Sequence, residues 1–214
     1  AINIVRDVVI TQGKFYQETA THTLTIGRDV HVAANGTFGK GDGTISGNIT
    51  VYSINIESGG TYDATTGTTS ITGGGSPNYI GFSAKNGHNF NHNNGTVQFD
   101  TGGDESWITT NTNNGEVKFH NLIINGTNVY LNKPGLVCDN DFTINAGKQL
   151  RPYNQYNNIT VKGHAKISGT LGKTAWGLDE PSAAAVSFGS LEIPSGGTYI
   201  ATQQTTTING GFHN

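Results

Sequence analysis

One stretch of this chain is written twice, and that repetition limits the possible folds more than any other feature. Residues 53–74 return at 190–211 with about two-thirds of the positions identical; Ser58-Gly59-Gly60-Thr61-Tyr62, for example, recurs as Ser195-Gly196-Gly197-Thr198-Tyr199. Ser58 maps onto Ser195 and Ile71 onto Ile208, so the displacement is the same at both ends of the match, without insertion or deletion. Similarity at a fixed displacement is the mark of an array or solenoid, in which each unit buries its apolar side against the next. The second copy stops at Gly211-Phe212-His213-Asn214, whereas the first is followed by further alternating sequence up to Phe99. The chain is therefore expected to be a fragment that continues past Asn214. Its start, Ala1-Ile2-Asn3-Ile4, lacks Met and enters directly on an alternating pattern, as a cut end would.

Composition narrows the class. Charged residues make up 13% of the chain, against about 25% in an ordinary soluble domain, and 31 of the 214 residues are Gly. No run of helix formers occurs at helical spacing, while Thr, Val and Ile cluster between Gly and Asn, which predicts an all-β fold. The 214 residues suffice for one core, and residues 1–214 are read as a single segment. A net charge of −3 without a basic cluster excludes a nucleic-acid groove. No apolar run approaches the roughly 20 residues of a membrane span. The single Cys138 allows no intrachain disulfide and sits in Leu136-Val137-Cys138, the setting of a small buried hydrophobe.

The apolar period is two. Leu24-Thr25-Ile26 and Val30-His31-Val32 alternate, the chain turns at Asn35-Gly36, and a short strand resumes toward Phe38. Similar phrases occupy 43–51, 142–150 and 159–171. Small residues and Asn stand at corners, where tight coils need left-handed backbone and stackable side chains. Like phrases follow one another in the same sense, which favours a parallel β-helix, or β-solenoid. The Asn-Gly pairs at Asn35, Asn94, Asn114 and Asn125 are also hairpin signals and keep an antiparallel β-sandwich as the alternative. The alternation lapses over 76–94, 101–115 and 172–182, which are expected to be loop excursions from the coil.

The phrases Leu24–Phe38, Asn93–Phe99 and Phe119–Asn125 resemble the repeats of parallel β-helix proteins: bacteriophage virion proteins and filamentous-haemagglutinin-type bacterial adhesins. The resemblance covers about two-thirds of the chain. It implies an extracellular, cell-surface or virion setting and no cofactor, and it carries over no functional residue.

Candidate chemistry is sparse. Glycoside hydrolysis needs two carboxyl groups about 5–9.5 Å apart. Asp104-Glu105 and Asp179-Glu180 are adjacent, so on a strand their members face opposite ways. Asp139 and Asp141 could share a face, as an acid pair or half of a Ca²⁺ site. His88 and His92, four apart, could also share a face, but two ligands do not close a zinc site. The Gly-rich runs lack the strand-to-helix setting of a phosphate loop. These residues are expected to be turn and surface groups, with no catalytic residue, no metal and no cofactor. Trp107, Tyr153, Tyr156 and Trp176 lie in or near the irregular stretches, and exposed aromatics there are candidates for binding a glycan or a partner.

The expectation is a non-enzymatic structural segment of a phage virion protein, belonging to tail, fibre or capsid surroundings and acting as a rigid scaffold. Its partners would be adjacent repeats or identical subunits. A bacterial adhesin or a glycan-binding host-recognition module is the alternative, and a polysaccharide depolymerase stands behind both.

Overall fold

A computed structural model describes residues 1–16, 21–39, 45–74, 79–110, 116–133, 135–153, 157–172 and 184–214. The chain is a β-solenoid of about eight turns, without helix among the described residues. Every strand pairing among them is parallel. The Asn-Gly steps at Asn35 and Asn94 are coil corners rather than hairpins, both with Asn in the left-handed region. Asn114 lies outside the described residues.

Three ladders run along the coil. Ladder I aligns Ile4, Ile26, Val51, Ile71, Phe99, Ile124, Ile144 and Ile167, one residue per turn. Ladder II aligns Val8, Val30, Ile54, Phe82, Ile108, Leu131 and Pro152 in the same way. Turn length varies along ladder I: the turn from Ile49 to Thr69 is short, and the next, from Thr69 to Val97, is markedly longer. The period-two sequence explains the ladders, since alternate side chains of each strand point inward. Ile49–Ile56 buries Ile49, Val51, Ile54 and Ile56 completely, and one hydrophobic core of aliphatic and aromatic side chains is continuous from Val8 to Leu191. Cys138 is part of it, fully buried, and burial pushes its thiol well above the usual range. It packs as an inert hydrophobe.

Corners are short turns in which an amide bonds the carbonyl three residues back, as in 33–36, 57–60, 85–88, 145–148 and 194–197. Left-handed Asn35, Gly59, Gly87, Gly147 and Gly196 occupy their third positions. Outside the coil, amides stack from turn to turn. Asn145 Nδ2 donates to Asn125 Oδ1 at 3.1 Å, and Asn125 Nδ2 donates to Asp100 Oδ1 at 2.8 Å.

Ladder III is divided. Its first block, Gly13–Tyr16, Gly36–Gly39, Thr61–Asp63 and Asn89–Asn91, pairs within itself. The second block starts at Glu116–Phe119 and continues through Gly135–Cys138, 159–161, 186–188 and Thr206–Ile208. No described strand pairs the two blocks. Aromatic rings fill the step. Phe15, Phe38, Tyr62 and Phe90 stack at centroid distances of 4.7–5.8 Å, and Phe90 then meets Phe82 at 5.1 Å and Phe119 at 5.7 Å, both edge-on.

The step marks a change of phase. Before it, the tight turns 33–36, 57–60 and 85–88 join ladder II to ladder III. After it, 145–148 and 194–197 join ladder I to ladder II. The sequence repeat therefore does not return to the same face. Its first copy places 54–56 on ladder II, Thr61–Asp63 on III and Thr68–Ile71 on I. The second places 191–192 on ladder I, Thr198–Tyr199 on II and Thr206–Ile208 on III. Between the copies the chain winds through several whole turns and two further faces, so the second is rotated by one face relative to the first.

Where they are described, at 79–94 and 101–110, two of the three expected excursions contain strands of the coil; 76–78 and 111–115 lie outside the described residues. The stretch 76–94 contains the strands Ile80–Ala84 and Asn89–Asn91, and 101–115 contains Glu105–Thr109. Their alternation is masked by Gly81, Ser83 and Ser106, small or polar residues that are buried in the coil. Of the third, only Gly172 lies within the described residues.

Candidate functional site

The outer side of ladder II carries an aromatic cluster. Trp107, on Glu105–Thr109, is in register with Tyr130, on Asn128–Asn132, and Tyr130 with Arg151, on Gln149–Pro152. Inward neighbours Ile108, Leu131 and Leu150 are fully buried, which holds the alternate residues outward. Trp107 lies 5.5 Å from Tyr130 and 5.2 Å from Tyr153, ring centre to ring centre. Tyr153 packs edge-on to Tyr130 at 6.4 Å. The Arg151 guanidinium stands 5.4 Å from the centre of the Tyr130 ring, and its Nη1 donates to the Tyr130 hydroxyl at 2.8 Å. That hydroxyl donates to Glu105 Oε1 at 3.4 Å. Tyr130 is thereby covered to 6% exposure, while Tyr153 remains 51% exposed.

Burial raises the Tyr130 phenol above its ordinary range, opposed by the adjacent Arg151 and reinforced by Glu105. It stays a neutral donor near pH 7. Trp107 Nε1 and Arg151 Nε are enclosed without a hydrogen-bond partner. The cluster therefore combines a half-open aromatic face with one carboxylate and one guanidinium, both held by the Tyr130 hydroxyl.

Of the four aromatics singled out in the sequence, the structure brings Trp107 and Tyr153 together; Tyr156 and Trp176 lie outside the described residues. Tyr130, Arg151 and Glu105 were not among the candidate binding residues. Their signal is the spacing: Tyr130 follows Trp107, and Arg151 follows Tyr130, at the distance of one turn of the coil.

The acids do not converge. Glu105 belongs to ladder II, and Asp104 closes the turn 101–104. Asp139 lies at the corner between ladders III and I, paired with Lys162 Nζ at 2.6 Å and His92 Nε2 at 3.2 Å. Hydrogen bonding to Lys162 holds its carboxyl below the usual range. Asp141 instead accepts the His164 amide. Asp179 and Glu180 lie outside the described residues. His88 and His92 serve separate corners. His88 Nδ1 donates to the Lys85 carbonyl, while His92 Nδ1 accepts the Asn94 amide and its Nε2 faces Asp139. Among the described residues no three His, Cys, Asp or Glu side chains gather as metal ligands.

No protein-family model, curated protein or solved structure matches the chain.

Proposed function

We propose that this chain is a non-enzymatic structural segment of a phage virion protein, tail, fibre or capsid-associated, acting as a rigid scaffold. The observation that carries the reading is the core: ladders I and II pair in parallel from turn to turn around one unbroken hydrophobic column. Each turn satisfies its backbone on its neighbours, and no turn can bury its apolar side alone. Such an array is stiff along its axis. The natural partners of the terminal turns are further turns or identical subunits, which can extend the same ladders. The virion setting follows the resemblance of the repeats to phage β-helix proteins.

The test is immunogold electron microscopy with antibodies raised against this segment. Label on phage particles supports the proposal. Label confined to bacterial envelopes overturns the virion reading in favour of the adhesin. Glycan cleavage by the purified chain, abolished by Glu105→Gln or Asp139→Asn, would overturn the non-enzymatic part.

A further inference from the structure

We infer that the outer face of ladder II is a carbohydrate-binding site for neutral hexopyranose units, with Tyr153 as its open platform. This site is independent of the scaffold reading, because a rod needs no aromatic cluster on its outside. Elsewhere the outward positions of the coil are dominated by Thr, Asn, Lys and Ser, as in Ile159–Ile167 and Thr96–Phe99. Three consecutive turns of ladder II break that pattern together. Trp107 and the exposed Tyr153 form one surface patch over the buried Tyr130, each of the three rings within 6.4 Å of the other two.

The chemistry of the patch selects its ligand. An aromatic face carries negative charge density and attracts the polarised C–H groups on the apolar side of a pyranose ring. Sugar hydroxyls both donate and accept, so they need acceptors and donors beside the platform. Glu105 supplies an acceptor and Arg151 donors, and both are tied to the Tyr130 hydroxyl between them. Those bonds hold the two charged groups in fixed positions, which lowers the ordering cost of binding. Their charges cancel, so the site has no net attraction for an acidic polymer and favours a neutral one. The three rings are drawn together over adjacent turns, with Trp107 and Tyr153 only 5.2 Å apart, so the patch presents one platform of about the size of a single pyranose ring.

The experiment titrates the whole 214-residue chain with neutral gluco-, manno- and galacto-configured hexasaccharides and with a hexuronate hexamer, using calorimetry and ligand-observed NMR. At least one neutral hexasaccharide is expected to bind. Tyr153→Ala should weaken it about tenfold, equivalent to about 1.4 kcal/mol, while Tyr153→Phe should stay within about twofold. Tyr16→Ala, on the exposed end of ladder III, should leave it unchanged. Circular dichroism identical to the parent confirms that the variants fold. Binding of none of the neutral hexasaccharides, binding unaffected by Tyr153→Ala, or preference for the hexuronate would each overturn the inference. Any of these outcomes leaves the scaffold proposal standing.

Discussion

At the residue scale, glycines that look alike in the sequence have unequal duties. A Cβ on Gly95 would collide with the carbonyl oxygen of Thr65 in the preceding turn, whereas one on Gly103 would meet nothing within 4 Å. Gly95→Ala is therefore expected to destabilise the chain by about 1–3 kcal/mol through forced separation of two turns. Gly103→Ala should change stability by less than about 0.5 kcal/mol, both measured by urea denaturation. Asp139 offers a pH test. Its carboxyl is held below the usual range chiefly by Lys162, so the unfolded chain takes up its proton more readily than the folded one. Its contribution is present above the ordinary carboxylate range and is lost as pH falls through the folded value. Asp139→Asn should lower the thermal midpoint at pH 7, and the gap from the parent should close in strong acid. The repeat also preserves a pair of hydroxyls: Tyr199 and Thr206 lie 2.7 Å apart, and Tyr62 and Thr69, their counterparts, are both buried in the core.

At the element scale, the informative feature is the step in ladder III. The Asn89 amide bonds the Gly60 carbonyl and the Asn91 carbonyl accepts from Ala64, so both residues face the preceding turn. Strand alternation then directs the Phe90 peptide toward the step, where no described strand pairs with it. The Phe90 amide is expected to exchange with solvent deuterium faster than that of Tyr62, its neighbour in the same ladder. Equal protection would mean that the two blocks are hydrogen-bonded after all. The aromatic plug takes over what backbone pairing does not supply at this point. Phe119→Ala should cost about 3–5 kcal/mol, measured by denaturant unfolding, since Phe119 touches both Phe82 and Phe90 and is fully buried.

At the scale of the whole molecule, stability is close to a sum over turns and their interfaces. The step is the one place among the described residues where an interior interface lacks one of its three ladders. With Phe119→Ala, unfolding should separate into two transitions, one for the turns before the step and one for those after. Hydrogen exchange resolved by segment checks this: amides of ladder I at 49–51 and at 165–167 should lose protection at different urea concentrations. A single shared midpoint would show that ladders I and II alone keep the stack cooperative.

Much of the architecture was legible in the residues. Period-two alternation, Asn and Gly at corners and like phrases in one sense led to a parallel coil, because each is a local property of strand and turn. Cys138 was legible as a core position for the same reason. Ile80–Ala84 and Glu105–Thr109 are strands of the coil where excursions were expected, because Gly81, Ser83 and Ser106, all buried, read as breaks in a hydrophobic pattern. Two of the five residues of the aromatic site, Trp107 and Tyr153, were visible as candidates. Tyr130, Arg151 and Glu105 joined it only once the winding placed residues a full turn apart side by side. The repeat itself determined strands and corners but not their face, since the same Ser-Gly-Gly-Thr-Tyr corner serves between ladders II and III in one copy and between ladders I and II in the other. Which face it occupies depends on the summed length of all intervening turns, and that sum exists only in the wound chain.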